Sequence, residues 1–165
     1  QELRTRMADG KADLANLLTT RFHLEKAVEE RESRSQPEVY RRAGELLSLM
    51  TDGAWIRVAL SPEGTIIATD AARNERDPKH LSLGTCQQLY LALRIALLMC
   101  ADNVGESVPI LADDILVNFD SQRRAGAARA LAQLARTRQV IVFTCHEEVV
   151  EAMGMADPAC TVIDL

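Results

Sequence analysis

Two adjacent carboxylates, Asp113 and Asp114, close an almost wholly apolar run, Val-Pro-Ile-Leu-Ala at 108–112. The run is strand-length, follows Gly105 and shows no polar alternation, so it reads as a buried strand of a parallel sheet. In open α/β sheets, ligands gather beyond the carboxyl ends of the strands, which is where this pair falls. Carboxylates there are costly to bury unpaired, and a metal ion or a cationic group is their natural complement. A second apolar run, Gln139–Phe143, ends in Thr144-Cys145-His146 and sets an imidazole at a neighbouring strand edge. Upstream, Leu81-Ser82-Leu83-Gly84-Thr85 opens a long helix. Ser82 is its expected N-cap, and Gly84 lets another group approach the backbone closely. A helix start with a free hydroxyl and unpaired N–H groups suits an anion. Taken singly, each feature also has a plainer account: a solvated strand end, a surface histidine, an ordinary capped helix.

The chain that must position these groups has 165 residues, 47% apolar and 26% charged, enough for one sizeable core. Its net charge of −5 argues against holding nucleic acid through bulk electrostatics. The strongest apolar helix, Leu89–Cys100, carries Arg94 in its middle, so no membrane span is expected. No secretory signal opens the sequence. Because it starts on Gln1, an excised piece of a longer protein is expected. Cys86, Cys100, Cys145 and Cys160 contain no Cys-x-x-Cys pair, which points to free thiols in a reducing cytoplasm. Ordinary packing is the expectation for Cys86 and Cys145.

Residues 1–34 are rich in Ala, Leu, Glu, Arg and Lys, without proline. Leu3, Met7, Gly10, Leu14, Leu17, Arg21, Leu24 and Val28 follow alternating steps of four and three, a heptad seam broken at Gly10 and Arg21. A coiled-coil stub over 1–34 and a lobe over 35–165 are the expected domains. Ser35 and Glu38 have capping-box spacing around Pro37 and open a helix to about Met50, ended by Asp52-Gly53. Ala54–Leu60 and Thr65–Thr69 read as a half-exposed β-hairpin, and 70–80 as a polar loop. Ser121 is the expected cap of a helix through Leu134. A short helix over Glu147–Gly154 and a last strand over Thr161–Leu165 complete the chain. The strand–helix–strand order from 108 to 143 predicts a parallel crossover.

In order and spacing, the pieces over residues 81–146 resemble the ABC-type ATPase fold. Ser82 and Gly84 resemble its signature motif, Val108–Asp114 its Walker B strand, Asp120 its D-loop and His146 its switch histidine. The run Leu83–Arg94 is most similar to the YhaN-type, SMC-like branch, related to chromosome-maintenance and double-strand-break-repair ATPases. The resemblance implies an α/β fold, the C-terminal lobe of a P-loop NTPase-type head, with a parallel sheet, a β-hairpin and a helical coiled-coil stub. It implies ATP and Mg²⁺ as cofactors, with Asp113 holding the metal. Asp114 would activate the attacking water and His146 sense the γ-phosphate. Ser82 and the backbone at Gly84 and Thr85 would cap ATP held by a second head, and Asp120 would couple the two sites. Positioning and charge stabilisation are what phosphoryl transfer needs from such groups.

Two departures from the family pattern stand out. Asp114 replaces the usual Glu, one methylene longer, which predicts slow turnover, and Leu83 replaces a frequent Gly. No Gly-x-x-x-x-Gly-Lys-Ser/Thr occurs, so the phosphate loop is expected on an N-terminal lobe beyond the coiled coil, and this chain alone should turn over no ATP. The implied partners are that lobe, a second identical head, DNA and a nuclease subunit, with no membrane. Two other classes compete: a transporter's nucleotide-binding domain, against which the arm counts, and a non-catalytic coiled-coil scaffold with a degenerate head. The joint presence of Asp113, Asp114, Asp120 and His146 counts against the scaffold. Arg41, Arg42, Arg73, Arg76, Lys79, Arg123 and Arg124 are read as scattered surface charge. Arg94, mid-helix, is expected to pair with a carboxylate or carbonyl if buried and to transmit movement of its helix.

Overall fold

The computed structural model describes residues 19–21, 38–61, 63–101 and 108–164. The chain divides into two compact units, Gln1–Gln36 and Pro37–Leu165. In the first, residues 19–21 are helical. The rest of the expected heptad seam lies outside the described residues, as do Ser35 and Pro37 of the capping box.

The second unit begins with helix α1, described over 38–50, whose Leu46, Leu47 and Met50 are buried as their spacing predicts. Gly53, at φ +83, and Asp52, at φ +47, turn the chain out of it. The strands β1 (Trp55–Leu60) and β2 (Ile66–Asp70) then form the expected antiparallel hairpin. The register partners Val58 and Ala68 enter the core, whereas Ile56 and Leu60, of the same parity as Val58, stay exposed, so only the middle of β1 is covered and the strict alternation is lost beside a register irregularity between Trp55 and Arg57. The expected polar loop adds a two-residue strand, β3 (Glu75–Arg76), and a 3-10 turn over Pro78–His80.

Helix α2 (Leu83–Cys100) follows. Among the described residues it is the helix long and apolar enough to cross a membrane by length and composition. Its Leu89, Ala92, Leu93, Ile95 and Ala96 are buried in the protein's own core. Strands β4 (Ile110–Asp113) and β5 (Val140–Phe143) pair in parallel, in register from Ile110↔Val140 to Asp113↔Phe143, with helix α3 (Ser121–Ala135) between them in sequence. Helix α4 (Glu147–Ala156) packs on α3.

Three expectations need correction. The strand before Asp113 is not buried on both faces: Ala112 is buried but Leu111 is 67% exposed, as is Val108 (69%) just before β4, so one face of the strand is left uncovered among the described residues. Asp120, not Ser121, caps α3, its Oδ1 accepting from the Arg123 N–H at 2.9 Å. Residues 161–164 form no strand. A turn in which Asp157 accepts from the Ala159 N–H precedes them, and Val162 and Ile163 lie exposed with no described strand beside them.

The three helices of the core meet at the end of α1. The buried Gln88 side chain of α2 donates to the Met50 carbonyl at 2.8 Å. Gly126 of α3 lies against the same residue: a Cβ placed there would sit 2.6 Å from Met50 O and 2.8 Å from its Cα. One turn to either side, Gln122 and Arg129 bond the two Asp52 oxygens at 3.0 Å each. The sequence Gln122, Gly126, Arg129 is thus one helical stripe fitted to one helix end.

Gly126→Ala would gain about 1 kcal/mol of helix propensity but overpack backbone that cannot rotate away, at about 1–3 kcal/mol. Its urea midpoint is expected to fall. Gly154→Ala, in α4 with nothing within 4 Å of the added carbon, is expected to gain about 0.5–1 kcal/mol. Urea unfolding of both variants reads the opposite signs, and a stabilised Gly126→Ala would refute the close crossing.

Candidate functional site

The residues singled out in the sequence fall into two groups. The first lies at the carboxyl ends of the parallel pair. Asp113 is the last residue of β4, opposite Phe143. Asp114 then leaves the strand with φ +47, a left-handed conformation that Asp tolerates better than most residues. Its N–H donates to the Phe143 carbonyl at 3.0 Å, extending the ladder by one bond while its side chain leaves the strand's alternation. On β5's side, the Thr144 hydroxyl accepts from the His146 N–H at 3.2 Å and shapes the turn into α4, where His146 is the N-cap residue. Asp114, Cys145 and His146 bring a carboxylate oxygen, the thiol sulfur and a ring nitrogen within 4.8 Å of one another. The imidazole and the second carboxylate therefore share one edge, as their strand positions predict. Neither Asp113 nor Asp114 forms an ion pair among the described residues, so both exposed carboxylates lack a protein cation, and Asp113 is not among the side chains that converge with His146. Oxygen donors of this kind suit a hard divalent cation such as Mg²⁺.

The second group lies where α2 and α3 begin. Ser82 caps α2: its Oγ accepts from the Thr85 N–H at 3.2 Å and lies 2.8 Å from the Thr85 hydroxyl. The N–H groups of Leu83 and Gly84 find no acceptor among the described residues, as first-turn geometry dictates. Against Gly84 lies Arg123, which by sequence alone reads as scattered surface charge. A Cβ on Gly84 would sit 1.9 Å from Nη1 and 2.5 Å from Cζ of Arg123, so the guanidinium rests on the glycine's bare Cα. Asp120 holds that guanidinium, Nη1 to Oδ2 at 3.5 Å, while its other oxygen caps α3. Ser82, Gly84, Thr85, Asp120 and Arg123 thus form one partly exposed assembly of hydroxyl, free N–H groups and a held cation. Its hydrogen bonds and ion pairs do not reach Asp113, Asp114 or His146. The local signal for Arg123 was its spacing of three from Asp120, but its contact with Gly84 is long-range and leaves no mark in the sequence.

Several other residues lie differently from what their sequence positions predict. Arg94 is exposed and forms no ion pair among the described residues, so it needs no buried partner. Arg41 and Arg42 are engaged by Glu38. Arg124 is mostly buried and donates to the Phe119 carbonyl at 2.9 Å. Cys145 is exposed rather than packed.

No family model matches the chain. The uncharacterized protein YhaN of Bacillus subtilis strain 168 is 35% identical over 119 residues, 70% of this chain and 12% of YhaN's length. The Smc head domain of Pyrococcus furiosus, solved with an extended coiled coil and bound to the C-terminal domain of ScpA, superposes with a TM-score of 0.69. It is 19% identical and matches 92% of this chain and 39% of that one. A structure from work on ATP-driven dimerization and DNA-stimulated activation of SMC ATPases superposes at 0.60, with 18% identity over 72% of this chain and 74% of that one. The chain spans only a small part of the YhaN sequence it matches. Its mixed α/β lobe, with a parallel pair and an antiparallel hairpin, has the fold of an SMC head's C-terminal lobe, and the chain belongs to the YhaN-like, SMC-like family.

Proposed function

We propose that this chain is the C-terminal lobe of an ATPase head whose complete protein hydrolyses ATP, with Mg²⁺, between two heads and serves DNA maintenance or repair. Residues 1–34 would be the stub of its coiled-coil arm and 35–165 the lobe. The observation that carries this role is the meeting of Asp114 and His146 at the ends of adjacent parallel strands, next to Asp113. When bound, Mg²⁺ would neutralise charge developing on the transferred phosphoryl group. Asp113 would hold it, Asp114 would orient and deprotonate the attacking water, and His146 would contact the γ-phosphate oxygens.

Ser82 and the free N–H groups at Gly84 would meet the terminal phosphate of a nucleotide brought by a second head, with Asp120 at the joint between the two sites. Arg123 is added as a positioning residue, because it ties Asp120 to the backbone of Gly84. The exposed Val108, Leu111 and Phe143 fit the same account. A two-stranded parallel sheet with bare apolar side chains is incomplete, and an N-terminal lobe carrying the phosphate loop would cover it. DNA and a nuclease subunit would be partners of the whole assembly, and the cytoplasm its compartment.

Co-expressed with the N-terminal lobe of the parent protein, the chain is expected to show Mg²⁺-dependent ATP turnover that it lacks alone. Asp114→Asn should lower kcat by about 10²–10⁴ while the heads still dimerise with ATP. An unchanged rate would discard Asp114 as base and favour a scaffold. Equal activity of the chain without its partner lobe would discard the split-head account.

Arg123→Ala should weaken ATP-dependent dimerisation at least tenfold with an unchanged melting temperature, since its side chain is partly exposed, and Arg123→Lys should restore part of the loss. Sedimentation of the three forms with ATP tests this. Equal dimerisation of Arg123→Ala and the wild type would remove Arg123 from the site.

A further inference from the structure

The Asp114–Cys145–His146 cluster holds one group that ATP hydrolysis does not use. Cys145 is exposed, so packing does not account for it, and a thiol has no place among the oxygen ligands of Mg²⁺. With its neighbours it makes an oxygen, sulfur and nitrogen donor set, the mixture that suits zinc-type ions. Among the described residues this is the group of three such side chains whose ligand atoms converge.

We propose that Asp114, Cys145 and His146 form a binding site for a zinc-type transition-metal ion, separate in its donors from the Mg²⁺ that Asp113 would hold, and that filling it shuts off turnover. A tetrahedral ion with bonds of about 2.0–2.3 Å spaces its ligand atoms roughly 3.3–3.8 Å apart. The three atoms here already lie within 4.8 Å, on side chains that are exposed or half-exposed and free to rotate by the remaining ångström. Their backbones are fixed beforehand. The Asp114 N–H is bonded across the parallel pair to Phe143 O, and the His146 N–H is bonded within its own turn to the Thr144 hydroxyl. Three protein ligands leave a fourth position for water or a phosphate oxygen. A bound ion would occupy the carboxylate and the imidazole together. The inhibitory half of the proposal rests on the ATPase role above, whereas the binding half does not.

Co²⁺, which reports thiolate ligation through its charge-transfer absorbance, is the probe. Titrated into the purified 165-residue chain under reducing conditions and excess Mg²⁺, it is expected to give one equivalent of thiolate–Co²⁺ absorbance. Cys145→Ser should abolish the band, His146→Ala and Asp114→Asn should each weaken binding at least tenfold, and Cys160→Ser should leave it unchanged. No thiolate band, or a band that survives Cys145→Ser, overturns the site and leaves the ATPase role untouched. In the two-lobe head, Zn²⁺ at one equivalent should depress wild-type turnover at least tenfold. It should leave Cys145→Ser near that variant's own metal-free rate. Equal zinc sensitivity of the two would overturn the inhibition even where Co²⁺ binds.

Discussion

The Met50 carbonyl, at the last turn of α1, fixes the relative positions of the two helices that carry half of the candidate site. Gln88 of α2 bonds it, and Gly126 of α3 lies against the same backbone. A helix advances about 5.4 Å per turn. Gln88 lies about one turn beyond Gly84, and Gly126 about one turn beyond Arg123. Two helices crossing a common point one turn past these residues must bring their starts together. The guanidinium of Arg123 over Gly84 is therefore a consequence of packing at the far side of the same turn. Asp52, gripped by Gln122 and Arg129, prevents α3 from sliding along that crossing.

The other half is positioned by different means. Parallel pairing sets Asp113 opposite Phe143, and one more bond, from the Asp114 N–H, carries the ladder past the strand. Because β5 runs in the same direction, its own terminus delivers Cys145 and His146 to that edge. An antiparallel partner would have placed its loop at the opposite end. The parallel arrangement in turn requires a long crossover, which α3 supplies, so the helix that carries Arg123 is also the connection that makes the strand ends meet. Both groups thus depend on α3, although their own hydrogen bonds do not join them.

What the sequence made legible was whatever depends on neighbours along the chain. Ser82 as a cap, the hairpin, the parallel strands and the length of α2 all follow from local spacing and turn chemistry. What it concealed depends on residues far away or on a partner surface. Leu111 and Val108 look like core because an apolar run carries no record of what covers it, yet they are exposed. Arg94 looked like a charge forced into an apolar helix, but it lies on the outer stripe with Tyr90 and Leu97, since α2 buries one face only. Ser121 reads as the cap, but Asp120 one position earlier is an equally good capping residue. The structure assigns the cap to Asp120, whose second oxygen also meets Arg123. Thr161–Leu165 reads as a strand by composition alone, but residues 161–164 form none, with no described strand beside them.

The backbone gives a physical account of an Asp at position 114. The residue sits at φ +47, where a side chain meets its own carbonyl and where Asp is tolerated several-fold more readily than longer residues. That left-handed turn also takes the carboxylate out of the strand's alternation and toward β5, where it reaches the imidazole of His146. A short carboxylate delivered by a bend in the chain comes within reach of the imidazole without a longer side chain, so the residue type and the left-handed backbone at 114 are one feature.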